Sequence, residues 1–247
     1  MPKLAVIILT CNEQQNIAAC LETVQFADEI LVIDSGSSDD TIAIAEKCGA
    51  RVITHPMDSF AGQRNFAAEQ TDADWIFYLD ADERLTNAVE AEIKEIVDKN
   101  EPAAYYIRRI NYIFGQRMMH GAHSPDMVCR LLPKNCFTWN GIVHESVETT
   151  LSIRQIKQPM QHYTYDSWNR FFRKFDQYTT LMAKKMHEKG KRASFTDIIF
   201  RPPFAFIRAY ILKAGFLDGK LGFIFSVFHG YYTFAKYVKL RYIDRLK

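Results

Sequence analysis

Two aspartates follow an apolar, aromatic run in the chain and could bind a cation. Residues 75–79 form a short apolar run, which predicts a buried strand, and Asp80 and Asp82 come directly after it. In an extended chain, residues two apart point to the same face, so we expect both carboxylates on one side. Two like charges held so close repel each other, and a divalent cation that also binds phosphates would compensate them. The simpler alternative is a solvated acidic turn.

Two more polar loops follow strand-like runs near the N-terminus. Residues 4–9 form a continuous aliphatic run, typical of a parallel strand covered on both faces. The loop after this run contains three polar residues: Thr10, Asn12 and Glu13. A second run, residues 29–33, ends at Asp34 in a loop of small residues. Such a loop could hold a base and ribose by hydrogen bonds, with Asp34 accepting one from a base N–H.

Helices alternate with these strands and indicate the fold class. The predicted elements between the runs are helices at 17–24, 41–48 and 60–71 and a strand at 51–55. We expect Asn12, and either Asp39 or Asp40, to cap helices. The alternation predicts an α/β fold with a doubly wound, mostly parallel sheet. Ligands bind beyond the carboxyl ends of the strands in such sheets, so the three polar loops should form one site.

One arginine near this edge could bind a diphosphate. Arg64 lies in the predicted helix at 60–71, and its forked guanidinium matches the geometry of phosphate oxygens. An exposed arginine on a helix surface is an equally simple interpretation.

The remainder of the chain is less regular and then becomes helical. A helix is predicted at 86–99, followed by strands at 104–110, 126–132 and 138–147, a strand or loop at 161–166, and a long amphipathic helix at 167–189. We expect the apolar stripe of the long helix to pack in a core. The predicted domains are a catalytic domain, residues 1–166, and a C-terminal helical region, residues 167–247.

The C-terminal region combines aromatic segments with positive charge. Two aromatic-rich segments, 205–217 and 221–238, are each interrupted by basic residues. From Arg201 to the end, the chain contains nine basic residues and only two acidic ones. We expect the region from about residue 198 to residue 247 to lie on an anionic membrane surface without crossing it. The aromatic residues expected there are Phe200, Phe204, Phe206, Tyr210, Phe216, Phe223, Phe225, Phe228, Tyr231, Tyr232 and Phe234. The alternative is that they complete the core or contact a second subunit.

Composition excludes several classes of protein. A chain of 247 residues with 48% hydrophobic residues suits one large α/β domain with an appendage. The formal net charge of +2 favours no particular partner, and no nucleic acid is expected. Five scattered cysteines, without a C-x-x-C pair, predict reduced thiols in the cytosol. The N-terminus is not typical of a signal peptide.

Several motifs together resemble the family 2 glycosyltransferases, which have the GT-A fold. The resemblance lies in residues 4–13, 32–41 and 79–83, in Gln63-Arg64-Asn65 and in Gly141-Ile142-Val143-His144-Glu145. The first three motifs cover about the N-terminal third and are specific as a set, whereas D-x-D alone is a weak signal. The last two are similar to a bacterial branch that includes lipopolysaccharide inner-core β-glucosyltransferases.

This resemblance implies roles for the matching residues in donor binding. Thr10, Asn12, Glu13 and Arg64 would line the donor site, and Asp34 would contact the uracil of a UDP-sugar. Asp80 would lie near the ribose and the metal, and Asp82 would ligate Mg²⁺ or Mn²⁺ at the diphosphate. His162 would complete the metal site, although a partly buried structural histidine is the simpler interpretation of both His144 and His162.

The same resemblance implies an inverting reaction that needs a carboxylate base. The base takes the proton of the acceptor hydroxyl in a single in-line displacement. The acidic pair usual in the family is not obvious in this sequence, so Glu145 is the first candidate and Asp166 the second.

The function implied is transfer of a hexose, glucose in that branch, from a UDP-sugar to a lipid-linked saccharide such as lipopolysaccharide core. The enzyme would be cytoplasmic and attached peripherally to the inner face of the cytoplasmic membrane. A sugar nucleotidyltransferase would need a glycine-rich basic loop after the first strand, and a Rossmann dehydrogenase would need G-x-G-x-x-G. A non-catalytic membrane scaffold would leave the three polar loops without a role.

Overall fold

The computed structural model describes residues 1–57, 59–141 and 145–245, which divide into two compact units. The first unit comprises Met1–Arg109 and Asp126–His162, and the second comprises Ile110–Pro125 and Tyr163–Lys247. The predicted boundary after residue 166 assigned residues 110–125 to the catalytic domain, whereas in the structure they belong to the unit that contains the C-terminal helices.

The N-terminal part of the chain alternates strands and helices as predicted. Its strands are β1 (Leu4–Thr10), β2 (Glu29–Asp34), β3 (Arg51–Thr54) and β4 (Trp75–Asp80), and its helices are α1 (Ile17–Glu22), α2 (Thr41–Lys47), α3 (Phe60–Glu69) and α4 (Asn87–Lys99). The four strands are parallel, in the order β3-β2-β1-β4. Neighbouring parallel strands need a crossover connection, and the helices between β1, β2, β3 and β4 provide it.

Both faces of the parallel strands are covered, which explains their uniformly apolar sequences. Val6 and Ile8 of β1 pack in a cluster with residues of α1 and α4, and Ile7 and Leu9 pack in a second cluster with residues of α3. All seven residues of β1 are buried. A strand buried on both sides has no polar face, so it reads as a continuous aliphatic run.

One predicted helix cap, at Asn12, differs from the structure, and the cap predicted at Asp39 and Asp40 lies where expected. The N-cap residue of α1 is Asn16, and Asn12 instead takes a left-handed conformation with φ of 55°. Asp40 occupies the N-cap position of α2 without a side-chain capping bond, while the Asp39 carboxylate accepts the N–H of Thr41. The prediction was wrong for Asn12 because the loop after β1 is longer than a direct strand-to-helix turn.

The sheet continues beyond β4 with antiparallel strands. These later strands are β5 (Glu83–Arg84), β6 (Ala104–Ile113), β7 (Gln116–Met118), β8 (Asp126–Pro133), β9 (Thr138–Asn140), β10 (Ser146–Glu148) and β11 (Ile153–Tyr165). The order is β4-β8-β6-β11-β5, with β7 paired to β6, while β9 and β10 form a separate hairpin in place of the single strand predicted at 138–147. The α/β fold class, with a doubly wound parallel half and C-terminal helices, is confirmed.

The second unit is mainly helical. Its helices are α5 (Trp168–Glu188), α6 (Phe195–Ile207) and α7 (Gly219–Arg241), with a π-helical segment at Arg208–Leu212 and short 3-10 helices at Gly121–His123, Gly215–Asp218 and Ile243–Arg245. The α6 helix begins ten residues before the predicted segment, because Ser194 and Asp197 form a capping box there. Across the described ranges, no helix is both long enough and apolar enough to span a bilayer.

Aromatic packing between α5 and α7 forms the core of this unit. Phe171 lies 4.7 Å from Phe228 and 5.4 Å from Phe225, measured between ring centroids. Phe225 is only 3% exposed. The predicted core role of the α5 stripe is therefore confirmed for Phe171, whereas Trp168 and Phe172 of the same stripe are 42% and 47% exposed. Phe225 faces the protein interior, not a membrane surface.

Candidate active site

The register of the parallel strands brings the three polar loops to one edge of the sheet. Thr10 pairs with Asp34 across β1 and β2, and Leu9 pairs with Asp80 across β1 and β4. The strand ends are therefore level, and the residues that follow them share the carboxyl edge. This is the edge at which doubly wound proteins bind ligands.

The first loop is hydrogen-bonded to the second. Asn12 accepts the N–H of Ser38 at its Oδ1 atom, at 2.9 Å, and the N–H of Glu13 donates to the Thr41 hydroxyl, at 2.9 Å. The Glu13 carboxylate accepts from the Asn16 amide at 2.8 Å. Asn12 and Glu13 thus fix the relative position of the two loops.

Asp34 is fully buried and organises its own loop. Its Oδ1 atom accepts the N–H groups of Gly36 and Ser37, at 2.9 and 2.7 Å, and its Oδ2 atom accepts the Ser37 hydroxyl. Gly36 has φ of 99°, a conformation that favours glycine. These hydrogen bonds to Asp34 therefore fix the shape of the loop that follows β2 at the carboxyl edge of the sheet.

The chain turns sharply after Asp80, contrary to the extended run expected there. Strand β4 ends at Asp80, and residues 81–82 form a turn before β5. The Glu83 carboxylate closes the turn by accepting the N–H of Asp80, at 2.9 Å. The two-residue alternation of a strand does not apply to Asp80 and Asp82, because the intervening residues are not extended.

A buried network of charges surrounds this turn. Arg130 donates to Asp80 Oδ2 and to Glu83 Oε1, each at 2.6 Å. Arg109 donates to Glu83 Oε1 at 3.0 Å and to Asp126 at 2.9 Å. The Glu83 side chain is completely buried, so its charge needs the two guanidinium groups beside it.

The network keeps Asp80 ionised. Burial alone would raise the pKa of this carboxyl, but the positive charges of Arg130 and Arg64 outweigh it and hold the pKa well below its usual range. Asp80 thus remains a carboxylate at neutral and mildly acidic pH.

Arg109 and Arg130 are absent from the site predicted from the sequence. Arg130 lies within the apolar strand β8 and is 2% exposed. A charged residue in the middle of a buried strand requires a partner, and this was the signal that could have identified it. Its partners are about 50 positions away in the chain, so the sequence did not indicate which they are.

Arg64 lies inside the protein, between the acidic turn and the β9–β10 hairpin. It is 1% exposed, and its Nη2 atom is 3.0 Å from Asp80 Oδ1 and 3.4 Å from Glu145 Oε1. Its guanidinium lies over the rings of Trp139 and Tyr78, at 4.9 and 5.3 Å from their centroids. Its Nε and Nη1 atoms have no hydrogen-bond partner within the described ranges. The interpretation of Arg64 as an exposed surface residue is thus wrong.

The residues on either side of Arg64 hold two further parts of the site. Gln63 donates to the Ser35 hydroxyl at 3.0 Å, and so contacts the loop after β2. Asn65 exchanges two hydrogen bonds of 2.9 Å with the backbone of Trp139 in β9. Glu145 immediately precedes β10, the strand paired with β9, so α3 positions this carboxylate through both Arg64 and Asn65.

Pairing of β5 with β11 brings His162 to the acidic turn. His162 pairs with Glu83 in the register of these strands, and its Nε2 atom is 3.6 Å from Asp82 Oδ1. Both side chains are largely buried, at 12% and 10% exposed. The described part of the chain contains no group of three His, Cys, Asp or Glu side chains arranged to hold a metal ion.

The donor atoms of this pair fit a metal ion that is shared with a substrate. The Asp82 carboxylate is the ligand type that Mg²⁺ and Mn²⁺ prefer, and Mg²⁺ sites commonly use one or two carboxylates together with substrate phosphates. The His162 imidazole nitrogen would be a second donor atom. Asp80 differs from this pair because both of its oxygens accept from arginines.

One other predicted residue lies elsewhere. Asp166 belongs to the second unit, where it pairs with Arg170 in the first turn of α5, at 3.5 Å. His144 lies outside the described residues. Of the two candidate bases, Glu145 is therefore the one that the first unit holds beside Arg64.

Comparison with known proteins identifies the family. The sequence model of glycosyl transferase family 2 matches residues 5–213. An uncharacterized glycosyltransferase of Rickettsia felis is 30% identical over 98% of this chain and 90% of its own length. The lipopolysaccharide core biosynthesis glycosyltransferase LpsC of Rhizobium meliloti is 28% identical over the whole chain and 96% of its own length.

A solved structure of glucosyl-3-phosphoglycerate synthase from Mycobacterium tuberculosis, with Mn²⁺, UDP and its product, aligns over 44% of each chain. Its TM-score is 0.39, at 20% identity. The family match covers most of the chain, and the protein belongs to glycosyltransferase family 2. The resemblance noted in the sequence is confirmed.

Proposed function

We propose that the protein transfers glucose from UDP-glucose to a lipid-linked saccharide of the lipopolysaccharide core type. The reaction would invert the configuration at the anomeric carbon and would use a bound Mg²⁺ or Mn²⁺ ion. The observation that carries the proposal is the Asp82–His162 pair beside the arginine-bound Asp80, at the carboxyl edge of the parallel strands. The LpsC relative supports the acceptor class. Membership of family 2 favours this function over a sugar nucleotidyltransferase or a scaffold.

The donor would bind across the loops after β1, β2 and β4. Thr10, Asn12, Glu13 and Asp34 shape the part that receives the nucleoside, with Asp34 accepting from the uracil or presenting the loop to it. Arg64 retains two N–H-bearing atoms without partners in the described structure. A diphosphate is the anion class that its forked geometry suits, and these two atoms would bind phosphate while Nη2 keeps its contacts with Asp80 and Glu145.

Asp82 and His162, with Asp80 beside them, would hold the metal ion. When bound, the ion supplies positive charge to the departing diphosphate. The residues of this chain would position it, because pairing of β5 with β11 places His162 beside Asp82 and the arginine network fixes the turn between β4 and β5.

Glu145 would act as the general base. In the displacement, the acceptor oxygen forms a bond to the anomeric carbon, the bond to the diphosphate breaks, and the hydroxyl proton passes to the carboxylate. Arg64 contacts Glu145 and Asp80 with the same nitrogen, so it joins the base to the part of the site that binds the donor.

A titration with UDP in the presence of Mn²⁺ tests nucleotide binding. We expect the parent protein to bind UDP and Asp34→Ala to bind it at least about tenfold more weakly, because hydrogen bonds to a charged group contribute roughly 1.5–3 kcal/mol. Isothermal titration calorimetry measures both affinities.

Ser37→Ala is the matched control for this titration. It removes the hydroxyl bond to Asp34 and the bond that this hydroxyl accepts from the N–H of Asn12, but it leaves the carboxylate in place, so we expect a smaller loss than with Asp34→Ala. Unchanged UDP affinity in Asp34→Ala would remove this residue from the site, and a parent protein that binds GDP but not UDP would contradict the donor class.

The second unit would attach the enzyme to the inner face of the cytoplasmic membrane. From α6 to the middle of α7 it exposes a set of large apolar side chains: Phe195, Ile199, Phe200, Phe204, Ile207, Ile211, Leu212, Phe216, Leu217, Phe223, Val227, Tyr231 and Phe234. Basic residues are interspersed among them, including Arg201, Arg208, Lys213 and Lys220. Apolar surface with neighbouring positive charge is typical of proteins that lie in the interface of anionic membranes.

Flotation with vesicles tests this attachment. We expect the full-length protein to float with phosphatidylglycerol vesicles at low salt and less strongly at high salt, since salt screens only the electrostatic part. The double variant Phe200→Ser, Phe204→Ser should lose at least about tenfold in vesicle partitioning. Ile153→Ser, at an exposed residue of the first unit, is the control and should behave as the parent. A parent protein that does not float at any salt concentration would refute membrane attachment and leave the transferase proposal intact.

A further inference from the structure

The second unit contains an open cleft of about 500 Å³ at the start of α7. It is lined by Tyr210, Phe216, Gly219, Lys220, Phe223 and Ile224. The π-helical segment supplies Tyr210, the following 3-10 helix supplies Phe216, and α7 supplies the remainder. The volume lies within the range of about 300–1,000 Å³ that is usual for clefts binding small ligands.

The walls of the cleft are aromatic rings that remain substantially exposed. The Tyr210 ring meets the rings of Phe223 and Phe216 edge to face, at centroid distances of 5.5 and 6.2 Å. Phe223 is 48% exposed and Phe216 is 50% exposed. Exposed apolar surface gathered into a concave site favours an apolar occupant over a sugar or a nucleotide.

The shape of the cleft is fixed by close backbone packing at its base. A Cβ atom at Gly222 would lie 1.9 Å from the carbonyl oxygen of Gly215, and one at Gly215 would lie 2.7 Å from that of Ala209. Only glycine permits these approaches, so the π segment, the 3-10 helix and α7 are held against each other. At Gly219, by contrast, no atom lies within 4 Å of the Cβ position, and the cleft is open on that side.

The charge at the rim is positive. Lys220 lines the cleft and is exposed. The neighbouring acid, Asp218, is 7% exposed and turned inward, where it accepts from the His120 ring at 2.9 Å and from the N–H groups of Met119 and His120. Asp218 therefore does not occupy the mouth of the cleft, and Lys220 is available to an anion.

We propose that this cleft binds one acyl chain of an anionic phospholipid, with the lipid phosphate paired to Lys220. The aromatic walls match a hydrocarbon chain, and the lysine at the rim matches a phosphate attached to that chain. The exposed apolar side chains Ile211, Leu212 and Leu217 are close to lining residues of the cleft in the chain. The proposal specifies how the proposed membrane attachment is made, and it requires no glycosyl transfer.

A short-chain lipid that stays monomeric in solution tests the site without a bilayer. We expect the full-length protein to bind dihexanoyl phosphatidylglycerol in a calorimetric titration below its micelle concentration. Phe223→Ser should weaken this binding about tenfold or more, since it removes a large apolar contact. Lys220→Gln should abolish the preference for the phosphatidylglycerol over dihexanoyl phosphatidylcholine.

Two controls separate this site from general hydrophobic binding and from damage to the fold. Ile153→Ser changes a side chain that is 71% exposed in the first unit and does not line the cleft, so this variant should bind monomeric lipid as the parent does. Urea unfolding of each variant checks that the change leaves stability comparable, as expected for an exposed position.

Three results would overturn the lipid cleft. Equal affinity of the parent and Phe223→Ser would show that the chain binds elsewhere. Glycerol 1-phosphate binding as tightly as the lipid would show a site for free phosphate. A parent protein that dimerises in solution, with Phe223→Ser monomeric and no lipid bound by either, would assign the cleft to a second copy of the chain. The titrations contain neither donor nor acceptor, so their outcome is independent of the proposed transferase function.

Discussion

Asp82→Asn is expected to reduce transfer from a UDP-sugar about a thousandfold while the protein remains folded. Asparagine keeps the size of the side chain and removes its charge, so the proposed metal ion would lose a charged ligand. A loss of about 4 kcal/mol in transition-state stabilisation, typical of the several kcal/mol that metal ions contribute, corresponds to this factor. The measurement is the rate of UDP release from the donor, with and without acceptor, at saturating Mn²⁺.

The structure allows the role of Asp82 to be separated from that of its neighbours. His162 faces Asp82 at 3.6 Å, so His162→Ala should lower the apparent affinity for Mn²⁺ in the same assay. Glu90→Gln is the control, because Glu90 forms only an i,i+4 pair with Lys94 on the surface of α4 and should leave the rate unchanged. Activity of Asp82→Asn within a few-fold of the parent would exclude a metal role for this carboxylate.

The parallel half of the fold was predictable because its cause is local. Each strand is an apolar run covered on both faces, and each following loop contains small or acidic residues that end the strand. The convergence of Thr10, Asp34 and Asp80 then followed from one topological rule, that parallel strands end at the same edge. No contact between distant residues had to be known.

The charge network was not predictable for the opposite reason. Arg130 lies on β8 and Arg109 on β6, and both reach Glu83 only because these strands follow β4 in the sheet. The pairing of two residues of β5 with β11, which places His162, is equally non-local. Register between strands so far apart depends on tertiary packing, which local sequence patterns do not encode.

The exposed apolar surface of the second unit shows a further limit of sequence patterns. The aromatic residues of α7 lie on all sides of the helix. Composition alone therefore could not distinguish the aromatic residues that are buried from those that are exposed. Phe225 packs against α5, whereas Phe223, two residues earlier, is half exposed. The position of α5 determines that Phe225 is buried while Phe223 remains exposed. Only the exposed aromatic residues of α7 can therefore belong to the proposed membrane-binding surface.

Glu145→Gln is expected to abolish most of the transfer while donor binding is retained. Glutamine can still accept a hydrogen bond from Arg64 through its amide oxygen, so the geometry around Asp80 should survive. What is lost is the capacity to take the proton of the acceptor hydroxyl, and general base catalysis contributes about 10²–10⁴ in rate. Calorimetric affinity for the UDP-sugar, which should match that of the parent, and the rate of transfer at saturating donor are measured together.

Asp166→Asn is the informative comparison for this variant. Asp166 was the second candidate base, and it lies at the start of α5, with its side chain 44% exposed and paired to Arg170. If Asp166→Asn loses transfer with intact donor binding and Glu145→Gln does not, the base is Asp166. If Glu145→Gln loses donor affinity along with activity, the carboxylate holds Arg64 for the diphosphate and does not accept the proton. We expect Glu145→Gln to lose the catalytic rate at unchanged donor affinity, and Asp166→Asn to keep both. The reason is that Arg64 holds the Glu145 carboxylate beside Asp80 in the first unit.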